Sequence, residues 1–194
     1  MIADCTAIVM AGGDSNRMGT DKAGILLGGQ TLLQSVTATM QQLFPQVIVS
    51  VRQPRAGIDL PQVCDEVPDG GPLAGLVASL GKIDTPWAFM VACDMPFVVP
   101  QVVELLAGYR ARHQAVVPIV HGHPQPLAAF YAASCLAPLR ASLAVQQKGL
   151  RNVLQQLDVR YVDEAEMLKA DPQLRSFFDL DTPQDVEAAR SGVR

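Results

Sequence analysis

Runs of apolar residues alternate along the chain with stretches whose apolar positions are spaced like one face of a helix. Residues 6–11 form an almost continuous apolar run, which is typical of a strand buried on both faces. Residues 30–43 then carry apolar side chains three and four positions apart, which predicts a helix. The alternation continues to the end of the chain and favours an α/β protein.

The same patterns predict the remaining elements. Strands are predicted at 46–51, 87–95, 115–120, 126–131 and 159–164, and helices at 71–83, 100–112 and 182–190. Pro72, Pro100 and Pro183 stand at the starts of the three helices, where proline costs no hydrogen bond, and Thr182 would cap the last one. Histidines and prolines between 120 and 126 indicate a hairpin, which would add antiparallel strands to the sheet.

We therefore expect an α/β, Rossmann-like three-layer α/β/α fold with a mixed, mostly parallel sheet. The 194 residues are enough for one well-cored domain and short for two, so we expect a single domain over 1–194. Ligands of such folds bind outside the carboxyl ends of the strands. The stretches at 11–22 and 93–96 should lie there.

Composition and charge narrow the class of protein. The net charge of −4, without a long basic run, argues against nucleic acid as the main partner. The longest apolar runs are far shorter than the ~20 residues of a membrane-spanning helix, and the first residues lack the features of a signal peptide. We expect a cytoplasmic protein with no membrane partner. The spacing of the cysteines gives no metal or redox motif.

The loop after the first strand carries the chemistry of a phosphate site. Gly12 and Gly13 let backbone N–H groups approach a ligand, and Arg17 and Lys22 add positive charge. The spacing matches neither the dinucleotide-binding G-x-G-x-x-G motif nor the P-loop motif. The loop therefore predicts a polyphosphate site of another kind. The alternative is an ordinary strand-to-helix loop with solvated cations.

Two acidic residues follow apolar segments of the predicted sheet. Asp94 ends a strand that should be buried, where an unpaired carboxylate is costly, so it is a candidate Mg²⁺ ligand. A turn or a helix cap is its alternative role. Asp65 comes shortly before the helix that Pro72 and Leu73 open. It is either a hydrogen-bond acceptor for a base or ribose, or a surface acid.

Four motifs carry a resemblance to a known family. The stretch "VMAGGDSNRMGTDK" resembles the signature loop of nucleotidyltransferases with a GT-A-like fold. The stretches "GGPLAG", "ACDMPFV" and "FFDLDTPQDVEAA" narrow the resemblance to the molybdenum cofactor guanylyltransferases, the MobA family. It runs from Ala7 to about Ala189. No triad motif of a nucleophilic enzyme is visible, which agrees with a reaction whose substrates supply both reacting groups.

The resemblance implies a reaction and a set of site residues. GTP and Mg²⁺ would bind first, and the terminal phosphate of molybdenum-loaded molybdopterin would attack the α-phosphate of GTP, giving the guanine dinucleotide cofactor and pyrophosphate. The implied catalytic residues are Arg17, Lys22 and Asp94, with Asp94 holding Mg²⁺. The nucleotide-binding set is Met10, Ala11, Gly12, Gly13, Lys22, Ser50, Asp65, Pro72, Leu73 and Asp94.

Two departures from the family pattern concern this set. Ser50 stands after the second strand where members carry asparagine, which puts direct contact with the nucleotide in question. Asp179 and Asp181 replace asparagines in the tail. Aspartates bind Mg²⁺ at least as well, so Asp181 is a second candidate ligand, but the extra charge repels the anionic pterin phosphate.

Guanine would be recognised by the backbones of 10–12 and 71–73, with the Leu73 side chain packed on the base. The alternative functions are a molybdopterin cytidylyltransferase, another small-molecule nucleotidyltransferase, and a non-catalytic nucleotide-binding or cofactor-chaperone protein. Relatives of the cytidylyl type usually show Ala-Ala-Gly where this chain has Ala11, Gly12 and Gly13. We expect a monomer that meets molybdopterin-supplying and cofactor-receiving proteins transiently.

Overall fold

A computed structural model describes residues 1–12, 21–65, 67, 70–147 and 149–191. Its strands are β1 Cys5–Met10, β2 Leu26–Leu27, β3 Gln30–Thr31, β4 Gln46–Val51, β5 Gln62–Cys64, β6 Trp87–Ala92, β7 Ala115–Val120, β8 His123–Pro124, β9 Ala128–Ala132 and β10 Val159–Val162. Its α-helices are α1 Leu32–Leu43, α2 Gly71–Leu80, α3 Pro100–Ala107, α4 Leu136–Ala144, α5 Leu150–Val153, α6 Glu164–Ala170 and α7 Pro183–Arg190. Short 3₁₀ helices lie at Lys22–Gly24, before β2, and at Ala133–Cys135, Leu154–Gln156 and Arg175–Phe177.

The main sheet is mixed and mostly parallel, as the sequence pattern predicts. Its strands run in the order β10-β7-β9-β6-β1-β4-β5, with β8 paired to β7. β9 is antiparallel to its neighbours β6 and β7, whereas the other pairs along this path are parallel. The predicted hairpin turns at His121 and Gly122, both with positive φ, as two-residue hairpin turns require. Because β9 is antiparallel to both β6 and β7, these two strands run in the same direction and end at the same edge of the sheet.

Helices cover both faces of the sheet because alternate residues of β1 point to opposite sides. Ala7 and Val9 belong to a buried cluster that includes residues of α1, α3 and α6. Ile8 belongs to a second buried cluster with residues of α2, α4 and α5. The expected three-layer α/β/α architecture is confirmed.

The C-terminal tail is held at the carboxyl edge of β6. Leu180 packs with Leu32 in a third buried cluster, and its backbone N–H donates to the carbonyl of Asp94 over 3.0 Å. Thr182 caps α7 through its side chain, as the sequence predicts. These contacts bring the tail beside Asp94, in the turn that follows β6.

The predicted elements differ from the structure mainly at their ends. α2 and α3 stop earlier than predicted, at Leu80 and Ala107, because a glycine follows each helix and disfavours its continuation. The strand predicted at 87–95 ends at Ala92, and the next residues form a turn. None of the helices in the described part of the chain has the length and apolar character needed to cross a membrane.

Candidate functional site

A cleft of about 270 Å³ opens at the carboxyl edge of β1 and β6. This is where the fold predicts a ligand. The described residues that line it are Met10, Ala11, Gly12, Asp21, Lys22, Ala23, Arg52, Asp65, Gly71, Pro72, Ala92, Cys93, Asp94 and Leu127. Seven residues of the predicted site are among them, so the sequence placed most of its described candidates at one cleft.

Asp181 contacts Lys22 from the tail without lining this cleft, and four other predicted site residues are also absent from its described lining. Gly13 and Arg17 lie outside the described residues. Leu73 is fully buried in the core cluster of α2, which corrects the expectation that its side chain packs on a base. Ser50 is only 1% exposed and lies under α2, so its side chain is not available for the expected contact with a nucleotide.

Two glycines allow α2 to form one wall of the cleft. Gly71, the first residue of the helix, has a φ of +60°, which side chains disfavour. A Cβ on Gly75 would lie 2.4 Å from Met10 Cε and 2.6 Å from Ser50 Oγ. Gly75, the second glycine of "GPLAG", therefore lets the helix pack directly on the ends of β1 and β4. The sequence alone does not reveal this structural role.

Lys22 joins the first loop to two acidic residues from distant segments. Its Nζ donates to Asp94 Oδ2 over 2.8 Å and to Asp181 Oδ1 over 2.5 Å. Burial lowers the pKa of Lys22, but the hydrogen bonds and charges of Asp181 and Asp94 outweigh it and hold the pKa above its ordinary value. The ammonium is therefore a fixed positive charge at neutral pH.

The Asp94 carboxylate is engaged with Lys22 and does not cap a helix. Its side chain is 17% exposed, and the helix that follows begins only after Val99. Of the alternatives that the sequence left open, a helix cap is thus excluded. The ion pair with Lys22 offsets the cost of a carboxylate at this mostly buried position.

The two aspartates of the tail differ in their surroundings. Asp181 is half exposed and bonded to Lys22. Desolvation and the negative charges of Asp94 and Asp181 raise the pKa of Asp179 to about 7. Pairing of one aspartate and partial protonation of the other both reduce the negative charge that the tail presents near neutral pH.

Asp65 and Arg52 come from neighbouring segments of the cleft wall. Arg52 follows β4 directly, and Asp65 follows β5. Desolvation raises the pKa of Asp65, and the positive charge of Arg52 opposes this shift. Arg52 lines the cleft but was not predicted from the sequence. Its position immediately after a predicted strand could have identified it, because such residues lie at the ligand-binding edge of the sheet.

The carboxylates of Asp94 and Asp181 fit a magnesium site. Both lie within 2.8 Å of the same ammonium nitrogen, so they converge on one centre of positive charge. No cluster of three or more metal-ligating side chains is found among the described residues. Mg²⁺ commonly takes one or two carboxylates and completes its shell with phosphate oxygens and water, so two carboxylates suffice beside a polyphosphate.

A second pocket, of about 630 Å³, lies at the same edge of the sheet on the β7 side of Asp94. Phe97 follows Asp94 by three residues, and His121 follows the carboxyl end of β7. The Arg175 guanidinium lies 4.6 Å from the centroid of the Phe97 ring. The described lining residues are Phe97, His121, Gln173, Leu174, Arg175, Phe177, Phe178 and Ala189. The pocket therefore combines aromatic surface with positive charge.

Comparison with known proteins gives concordant matches. The family model of the MobA-like NTP transferase domain matches residues 7–162. A probable molybdenum cofactor guanylyltransferase of Chloroflexus aggregans is 36% identical over 96% of this chain and 93% of that protein. One of Pelotomaculum thermopropionicum is 32% identical over 95% and 91%. The crystal structure of molybdopterin-guanine dinucleotide biosynthesis protein A from Archaeoglobus fulgidus matches with a TM-score of 0.85 and 28% identity, over 97% of this chain and 98% of that chain.

Proposed function

The chain belongs to the MobA-like NTP transferase family, and from this premise we propose that it is a molybdenum cofactor guanylyltransferase. It transfers GMP from GTP to molybdenum-loaded molybdopterin and releases pyrophosphate. The observation that carries the proposal is the convergence of Lys22, Asp94 and Asp181 beside a cleft walled by residues 10–12, residues 21–23 and the start of α2. The names of the relatives supply the substrates of the proposal.

GTP occupies the 270 Å³ cleft, with its phosphates toward Lys22. The raised pKa of Lys22 supports this orientation, because it keeps a positive charge at the cleft for the phosphates. Backbone groups at 10–12 and 71–72 recognise guanine. Arg17 supplies a second cation to the phosphates in this proposal.

The acceptor phosphate forms the new P–O bond at the α-phosphorus of GTP while the bond to the β-phosphate bridging oxygen breaks. Both reacting groups come from the substrates, so the protein contributes position and charge. Lys22 carries a raised pKa and does not act as a base. Its ammonium stabilises the charge that shifts onto the phosphate oxygens in the transition state.

Mg²⁺ is the cofactor of this proposal. Asp94 and Asp181 would hold it, and when bound it neutralises phosphate charge and makes the α-phosphate more electrophilic. The carboxylate pair described above supports this assignment, because two hard oxygen ligands lie beside the ammonium that we propose binds the phosphates.

We place the pterin in the 630 Å³ pocket lined by Phe97, His121 and Arg175. The pocket and the GTP cleft share the carboxyl edge of the sheet, with Asp94 and the tail between them. Aromatic side chains suit a flat ring system, and Arg175 suits an anionic phosphate. With GTP and the pterin bound on either side of Asp94, their phosphates can meet at the carboxylates of Asp94 and Asp181.

Replacing Arg175 with glutamine should raise KM for molybdopterin about 10-fold and leave KM for GTP within about twofold. The reason is that a charge-assisted hydrogen bond to the acceptor is lost, whereas the GTP cleft does not include Arg175. Steady-state kinetics with each substrate varied in turn measure both constants. An equal rise of the two KM values would place the pterin elsewhere.

GTP should be preferred over CTP and ATP by at least ~10²-fold in kcat/KM. Guanine offers N1–H, the 2-amino group and O6, and a site whose buried backbone groups pair with these rejects bases that lack them. The experiment incubates the protein with loaded molybdopterin, Mg²⁺ and the competing nucleotides, and follows pyrophosphate and the dinucleotide product.

The outcomes of this competition separate the alternative functions. Equal use of CTP and GTP would overturn the guanylyl assignment and leave a nucleotidyltransferase. GTP binding without release of pyrophosphate, measured by thermal shift beside the transfer assay, would indicate a nucleotide-binding protein or cofactor chaperone.

A further inference from the structure

Arg55, in the segment between β4 and β5, joins the two ends of the loop that follows β1. Its Nη1 donates to the carbonyl oxygen of Ala11 over 3.1 Å, and its Nη2 forms an ion pair with the carboxylate of Asp21. Ala11 lies at the start of this loop and Asp21 lies near its end. The planar guanidinium can make both directed interactions at once, which a lysine ammonium at the same place would not reproduce.

Asp21 links Arg55 to the backbone turn that carries Lys22. One carboxylate oxygen of Asp21 pairs with Arg55, and the other accepts the backbone N–H of Ala23 over 3.2 Å. The Asp21 side chain thus caps the 3₁₀ turn that begins with Lys22. A shift of Asp21 would therefore move the backbone from which the Lys22 side chain reaches Asp94.

Arg55 is itself fixed to the sheet by Gln62, the first residue of β5. The Arg55 N–H donates to Gln62 Oε1, and Gln62 Nε2 donates to the Arg55 carbonyl, each over 2.8 Å. β5 pairs in parallel with β4, which places Gln62 beside Val49. The side chain of Arg55 is 28% exposed, so the guanidinium is held between the sheet edge and the loop ends.

Arg55 does not line the GTP cleft in the described part of the chain, whereas Ala11 and Asp21 do. It lines a separate pocket on the α1 side. Its effect on a ligand in the cleft must therefore pass through the residues that it holds.

We propose that Arg55 is a positioning residue for GMP transfer, which fixes Ala11 and Asp21 relative to each other and thereby sets the position of Lys22 at the phosphates. This role rests on the proposed function. The proposal predicts that the rate of GMP transfer falls when Arg55 can no longer contact both Ala11 and Asp21, even if a positive charge remains at position 55.

Arg55→Ala should lower kcat/KM for GTP by about 10- to 100-fold, because small displacements of a positioning group have effects of this size. Arg55→Lys should recover less than about a third of the wild-type value. Arg151→Ala, which removes an exposed arginine of α5, is the matched control and should stay within about twofold. Thermal unfolding of each variant reports on folding.

A double-mutant cycle tests whether Arg55 acts through Asp21. Arg55→Ala combined with Asp21→Asn should be no more than about twofold worse than Arg55→Ala alone, since the two residues form one linkage. A double variant whose loss in kcat/KM equals the product of the two single-variant losses would contradict the proposal. Should Arg55→Ala fail to fold, the same double-mutant cycle is measured with Arg55→Lys and Asp21→Asn.

Amide exchange gives a readout that needs no activity. The Ala23 N–H should exchange faster in Arg55→Ala than in the wild type and in Arg151→Ala, because its acceptor Asp21 is released. Faster exchange in a protein whose wild type transfers no GMP would support the linkage to Asp21 and refute the proposed function. Unchanged Ala23 exchange and unchanged kcat/KM, with wild-type transfer present, would overturn the role of Arg55.

Discussion

Replacing Asp94 with asparagine should lower kcat/KM for GMP transfer by at least about 10²-fold while the fold is kept. Asparagine preserves the shape of the side chain and removes its charge. The carboxylate is only 17% exposed, binds Lys22 and is the first of the two proposed Mg²⁺ ligands. Preorganised charges at a reacting centre commonly contribute ~3 kcal/mol, which corresponds to a loss of this size.

The measurement is pyrophosphate release with GTP and loaded molybdopterin over a titration of Mg²⁺. The loss should be deepest at low Mg²⁺ and partly recovered at high Mg²⁺, because a weakened site fills at higher concentration. Asp84→Asn is a matched control, since Asp84 is exposed and lies before the amino end of β6. Near-wild-type turnover of Asp94→Asn at limiting Mg²⁺ would show that Asp94 is not the ligand.

The longer strands could be predicted because burial selects mostly apolar residues along them. β4 and β7 have the predicted bounds for this reason, whereas the three-residue strand β5 was not predicted. The β2–β3 hairpin has only two residues in each strand, too few for a periodic pattern. α4 was not predicted because its apolar positions do not keep to one face and Pro138 lies in its first turn.

The site could be predicted where it depends on residues that end parallel strands. Those ends meet at one edge of the sheet, so Met10, Asp65 and Asp94 come together whatever the intervening helices do. The contact of Lys22 with Asp181 joins residues 159 positions apart, and only the packing of the tail brings them together. The resemblance named Asp181 as a ligand but not its pairing with Lys22.

The directions of individual side chains could not be predicted at the start of α2. Pro72 lines the cleft, whereas Leu73, the next residue, points into the core between α2 and the sheet. One step along a helix turns the side chain by about 100°, so the face that meets the ligand depends on how the helix is rotated on the sheet. Arg55 was missed for a related reason, because its role depends on contacts with Ala11 and Asp21 across the fold.

Replacing Lys22 with alanine should lower kcat/KM for GTP by about 10³-fold, through both a higher KM and a lower kcat. The ammonium contacts phosphate charge that shifts during the reaction, so its loss affects the transition state more than the ground state. The variant also removes the ammonium that holds the carboxylates of Asp94 and Asp181 together, which loosens the proposed Mg²⁺ site. Lys82→Ala removes an exposed lysine after α2 and is the matched control.

Adding Asp181→Asn to Lys22→Ala tests whether Asp181 still acts as a Mg²⁺ ligand once the ammonium is gone. If it does, the double variant should lose about a further 10-fold in kcat/KM for GTP at limiting Mg²⁺, because one of the two proposed ligands is removed. Lys22→Arg should retain more activity than Lys22→Ala, since it keeps a positive charge beside both carboxylates. Steady-state kinetics of the four proteins give the comparison. An unchanged kcat/KM in Lys22→Ala would reduce Lys22 to a structural ion-pair partner. A double variant with the same kcat/KM as Lys22→Ala at limiting Mg²⁺ would show that Asp181 is not a Mg²⁺ ligand.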